Sequence, residues 1–305
     1  MSGSEAADNL LDQAIVQRVA NLRVEARRAV EGLRSGIHRS PHRGASVIFA
    51  EHREYRPGDD LRLLDWRAFA RSDRHTIKRF EQETHLRAHL LLDVSASMDF
   101  DGGQPGTHKR DYAATLLAAL AFLLLGQGDA TGLLRLGAGV RDSVPARARP
   151  GQLDAILALL GAPEGTGGRT DLKAALEDVS ERVGRRGLVV LASDLLDLAP
   201  TALEPLTRLR TLGHDVLVFQ VMHPLELDFA YDERLRFIDP ENQETLDSDP
   251  EAVRKAYLAE IDAFVAGCRK RCMSAGARYV LARTDVPVQE VVAEALSIKI
   301  RRAWA

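Results

Sequence analysis

Polar and apolar positions change rhythm sharply near Thr76. Before it, charged residues are scattered through an arginine-rich stretch. After it, short apolar runs alternate with amphipathic or Ala/Leu-rich segments. LRAHLLLD (86–93), GLVVLASD (187–194) and HDVLVFQVM (214–222) are nearly unbroken apolar runs, as expected of strands buried on both faces. ARYVLART (277–284) reads as a further strand, and IKRFEQ (77–82) as an earlier one. ATGLLRLGA and GVRDSVPA, on either side of Gly139, predict a hairpin or short edge strands. Helices are predicted over Lys109–Leu125, Gly151–Leu160, Asp171–Val183, Thr201–Leu212 and Val286–Arg302. Ser248 followed by Glu251 predicts a capping box opening a long helix to about Ala275. RLRFIDP and ETLDSD predict a small hairpin around Pro240–Gln243.

This alternation predicts an α/β fold: a doubly wound, mainly parallel sheet with helices on both faces and a small β-hairpin addition. The expected division is residues 1–75, an amphipathic N-terminal helix with an Arg-rich lobe, and residues 76–305, the sheet domain. Interleaving of Arg53, Arg56, Arg62, Arg67 and Arg71 with Glu54, Asp59, Asp60 and Asp65 points to pairing within a folded segment.

Composition narrows the function classes. The 305 residues are 45% hydrophobic and 28% charged, ordinary for a globular protein. A formal net charge of −3 and 5% aromatics argue against nucleic acid as a partner. The N-terminus lacks a signal peptide's apolar centre, and the Ala/Leu-rich stretch Tyr112–Gly126 is too short to span a bilayer. A cytoplasmic protein with no direct membrane span is the expectation. Cys268 and Cys272 have no second pair to complete a zinc knuckle and read as ordinary helix residues. The His38/His42 and His85/His89 pairs lack partners at ligand spacing. No phosphate loop, G-x-S-x-G elbow or H-E-x-x-H motif occurs.

The candidate chemistry sits at strand ends, where open α/β sheets bind ligands. Asp93, Ser95 and Ser97 leave the first apolar strand at alternate positions. Thr170 lies in the Gly-rich loop EGTGGRT, whose Gly165, Gly167 and Gly168 allow close approach, and Asp194 ends GLVVLASD. Hard oxygen donors of this kind suit Mg²⁺ or Mn²⁺.

Asp-x-Ser-x-Ser followed by a distant Thr and a distant Asp resembles the metal-ion-dependent adhesion site of von Willebrand factor A domains. All five positions match in type and order. The resemblance implies that Asp93 holds the ion mainly through water, that Ser95, Ser97 and Thr170 are hydroxyl ligands, and that Asp194 orients bound water. Upstream, Arg53-x-Tyr-x-Pro-Gly-Asp-Asp60 and Arg62-x-x-Asp-Trp66 with Ala70-Arg71 closely resemble the signature of the bacterial domain of unknown function fifty-eight. That resemblance implies a von Willebrand factor A-like protein, without catalytic residues, working with a MoxR-type AAA+ ATPase in chaperone-like maturation or remodelling. The partner would be that ATPase or a client protein supplying an acidic residue. Many family members carry N-terminal membrane helices, which this sequence lacks. Two other classes stay open: a metal-dependent phosphoester hydrolase, with Asp99 or Asp171 as base, and a nucleic-acid binder using the arginines before residue 80.

Overall fold

The structure is a computed structural model. It describes residues 2–37, 53–54, 76–77, 86–103, 108–163, 171–184, 186–196, 201–231, 235–238, 245–248 and 250–297. The chain divides into two units, one of Met1–Ile37 with Leu86–Ala305, the other of His38–His85. In the second unit, β1 (Arg53–Glu54) pairs antiparallel with β2 (Thr76–Ile77). The remainder of the predicted strand IKRFEQ and of the Arg-rich signature lies outside the described residues.

The larger unit begins with helix α1 (Ser2–Ile37), followed by β3 (Arg87–Asp93), α2 (Lys109–Gly126), β4 (Ala130–Leu136) and β5 (Val140–Arg147). Helices α3 (Gln152–Leu160) and α4 (Leu172–Arg182) lead to β6 (Gly187–Ser193), α5 (Glu204–Thr211) and β7 (His214–Met222). Then come α6 (Pro224–Asp228), the hairpin of β8 (Leu235–Ile238) and β9 (Thr245–Ser248), α7 (Pro250–Ser274), β10 (Arg278–Arg283) and α8 (Val288–Ser297).

Six strands form one sheet in the order β10-β7-β6-β3-β4-β5. Every neighbouring pair is parallel except β4–β5, which is antiparallel. The predicted mainly parallel sheet with a hairpin edge is therefore present. Chain progress runs outward from β3 through β4 in one direction and from β6 through β7 in the other. The β3/β6 boundary is thus a topological switch point, where carboxyl ends of strands open a crevice.

Strand side chains alternate between two cores, because successive residues point to opposite faces. Leu90 and Leu92 join a core with α1, α2, α3 and α8. Leu91 joins the other, with α4, α5 and α7. Both faces being covered explains the continuous apolar runs. Cys268 and Cys272 are free thiols fully buried in the second core, as their reading as helix residues required.

Three expectations need correction. Helix α1 does not belong with the Arg-rich segment, so the 1–75/76–305 division fails. Leu22, Ala26, Ala29, Val30 and Leu33 recur at helical spacing and bury in the first core of the sheet unit, which starts again at Leu86. Ser248 is the last residue of β9, and the predicted long helix, α7, opens at Pro250, a residue pre-set for the first helical turn. The helix predicted from Thr201 begins at Glu204 after a turn.

Candidate metal centre

Strand β3 ends on Asp93, and the chain turns into a short 3₁₀ segment, Ala96–Asp99. The Asp93 carboxylate directs this turn: Oδ1 accepts the Ser95 backbone N–H at 2.9 Å. The turn brings Ser95 Oγ and Ser97 Oγ to 3.0 Å from each other. One strand over, Ser193 at the end of β6 donates its hydroxyl to Asp93 Oδ2 at 2.5 Å. Asp194 follows, 1% exposed, beside an Asp93 that is 3% exposed. Leu195 takes a left-handed conformation, φ 61, and is buried. A bulky residue there is held in a costly backbone region, a feature that clusters at functional sites.

Asp93, Ser95 and Ser97 thus lie together at the carboxyl end of β3, and Asp194 follows the end of its neighbour β6. Thr170, with Gly165, Gly167 and Gly168, lies outside the described residues. Asp171, next to it, uses its side chain to cap α4 by accepting the Ala174 N–H at 2.9 Å. Asp99 is ion-paired with Arg110.

Two residues that were not among the candidates join these side chains. Lys109, the first residue of α2, is fully buried. Its Nζ donates to Asp194 Oδ2 at 2.8 Å and to Glu226 Oε1 at 2.6 Å, and lies 5.8 Å from the centre of the Phe100 ring. Glu226 is fixed by a capping box: its Oε2 accepts the His223 backbone N–H at 2.8 Å, at the start of α6. A lysine at a helix N-terminus opposes the helix dipole. That anomaly at Lys109 was the available sequence signal. Behind the site, Gln220 Nε2 donates to the Asp194 carbonyl at 3.0 Å, and Tyr279 donates to Gln220 Oε1 at 2.6 Å. This relay ties three strands to one backbone position.

The electrostatics are unbalanced. Burial, together with the neighbouring Asp194 charge, raises the Asp93 carboxyl to about 6, against the lowering effect of its hydrogen bonds. Burial also raises Glu226, although Lys109 works the other way. Burial opposes the Lys109 ammonium, but Asp194 and Glu226 more than offset this and its pKa is raised. Two carboxylates, Asp194 and Glu226, thus hold one ammonium, and a third, Asp93, lies within electrostatic reach of Asp194, so the formal charges of the four groups sum to two negative.

Mg²⁺ binds oxygens at roughly 2.1 Å in an octahedron, so adjacent ligands stand about 3.0 Å apart. The Ser95–Ser97 hydroxyl separation fits that edge, and a divalent charge fits the excess. No cluster of three His, Cys, Asp or Glu side chains able to hold a metal occurs among the described residues. Donors here are mixed hydroxyl and carboxylate, the set suited to a hard cation. An open groove of about 750 Å³ between α6, α7 and β10, lined by residues including Leu227, Asp262, Arg269 and Met273, is separate from these side chains.

The family profile described as "Protein of unknown function DUF58" matches residues 51–264, and the chain belongs to that family. Relatives include "Uncharacterized protein Rv1480" of Mycobacterium tuberculosis (strain ATCC 25618 / H37Rv), 29% identical over 283 residues, 90% of this chain and 86% of that protein. "Uncharacterized protein Mb1516" of Mycobacterium bovis is similar to the same degree, 29% over 283 residues. Among solved structures, the conserved hypothetical protein BatB from Bacteroides thetaiotaomicron is 16% identical, overlaid on 70% of this chain and 98% of that one with a TM-score of 0.44. An aerotolerance-related membrane protein from Bacteroides fragilis gives 16% identity, 70% and 97% coverage and a TM-score of 0.44.

Proposed function

We propose that this protein is a von Willebrand factor A-like interaction module that grips an acidic group of a protein partner through a divalent cation, Mg²⁺ or Mn²⁺. The observation that carries this reading is the pair of hydroxyls at 3.0 Å on the turn that leaves the buried Asp93, with the buried Asp194 at the end of the neighbouring strand. Ser95, Ser97 and Thr170 would supply hydroxyl ligands, Asp93 would act mainly through water, and Asp194 would orient water. Hydroxyl ligands add no full charge, so a cation held by them stays electron-poor and can take a carboxylate from outside. Leu196, 43% exposed next to Asp194, offers an apolar contact at the rim.

On the same reading the partner is a MoxR-type AAA+ ATPase, or a client it remodels. Cytoplasmic action belongs to the same reading. No helix among the described residues is long and apolar enough to cross a membrane. The hydrolase alternative draws less support, because Asp99 and Asp171 are engaged in an ion pair and a helix cap.

The test is a pull-down of the cognate ATPase with Mg²⁺ and with chelator, using the wild-type chain and the Ser95→Ala/Ser97→Ala double variant. Binding that needs Mg²⁺, and drops at least about tenfold in a variant whose melting is unchanged, is the expected outcome. Chelator-insensitive binding by both proteins would overturn the reading.

A further inference from the structure

Lys109 is not explained as a device for stability. Its position opposes the dipole of its own helix, and a buried ion pair is a weak stabiliser once desolvation is counted. One carboxylate would neutralise it, yet two hold it, from the end of β6 and from α6. A third carboxylate, Asp93, interacts electrostatically with the first.

We propose that Lys109 is a built-in counter-ion that sets the charge of the cation site, loosening its hold on the metal while making the loaded site receptive to an external carboxylate. This rests on the cation reading given above. Lys109 is paired with Asp194 and Glu226, and counted at formal charge these three groups with Asp93 sum to two negative, which a divalent ion neutralises. The loaded site is then neutral, and its open position accepts an anion without repulsion. Without the lysine, the loaded site keeps one negative charge and repels an incoming carboxylate. The same lysine, held against Asp194, repels the metal. Lys109 is thus a positioning residue acting through Asp194, and its removal must move the two affinities in opposite directions. Damage to packing would weaken both together.

The experiment uses the full chain, Mn²⁺ alone as the metal probe and acetate as the carboxylate probe. Mn²⁺ binding is followed by electron paramagnetic resonance, and acetate binding by loss of water-proton relaxation on the Mn²⁺-loaded protein. For Lys109→Met, the expected result is Mn²⁺ bound about tenfold or more tightly and acetate about tenfold or more weakly, the scale of a unit charge at short range in a partly buried site. Glu226→Gln keeps the side-chain shape while removing a negative charge. It should do the reverse, weakening Mn²⁺ and leaving acetate binding equal or tighter. Parallel loss of Mn²⁺ in both variants, or unchanged affinities in Lys109→Met, would overturn the role of Lys109 alone. Absence of Mn²⁺ binding by the wild-type chain would overturn the cation reading and this inference with it.

Discussion

At residue scale, Asp93 carries the largest conflict between burial and charge. Its carboxyl is raised from the ordinary 3.8 to about 6 by burial and by Asp194. The folded, metal-free protein therefore binds more protons than the unfolded chain between these two values. The stability contribution of the neutral form is complete below about 4 and lost as pH rises through about 6. Asp93→Asn removes the buried charge and retains an acceptor for the Ser95 N–H. In the presence of chelator at pH 7.5, this variant should be more stable than wild type by on the order of 1–3 kcal/mol, and the difference should shrink toward pH 4. Urea unfolding at both pH values measures this. Mg²⁺ should stabilise the wild type and leave the variant unchanged. An equal pH slope in both proteins would contradict the assignment.

At element scale, the site depends on how closely β6 lies against β3. Gly187 opens β6, and a Cβ there would meet the Arg87 carbonyl oxygen at 2.3 Å. No side-chain rotation can relieve a clash with backbone, so the strands must part. Gly187→Ala should lower the urea midpoint, with a loss of about 1–3 kcal/mol. Because β6 also delivers Ser193 and Asp194, Mg²⁺-dependent stabilisation should weaken in the same variant. Gly132 shows the same principle at the other edge, where the β4–β5 register shifts and a Cβ would meet Ala146 N at 2.5 Å.

At the scale of the whole molecule, α1 closes one face of the sheet unit. Its buried Leu22, Val30 and Leu33 contribute roughly 1.5–3 kcal/mol each when removed from water. That total is comparable to the net stability of a typical domain, about 5–15 kcal/mol. A chain lacking residues 1–37 should lose cooperative melting and bind a hydrophobic dye such as ANS. Retention of a sharp transition near the wild-type midpoint would show that the helix is dispensable.

Helical spacing in α1 was legible from its apolar residues, but its placement was not, since spacing says that a face is buried and not against what. The strands were legible because burial on both faces forces unbroken apolar runs, as in LLLD and GLVVLAS. Asp93, Ser95, Ser97 and Asp194 could be named because strand ends mark the ligand side of an open sheet. Lys109 meets Asp194 across 85 residues and Glu226 across 117. That meeting follows from strand order, which no local period encodes. Periodicity and composition thus determined the class of fold and the loops that bear chemistry. Only the tertiary structure decided which charges are brought together out of water, because Coulomb energies depend on distance and burial, and sequence separation specifies neither.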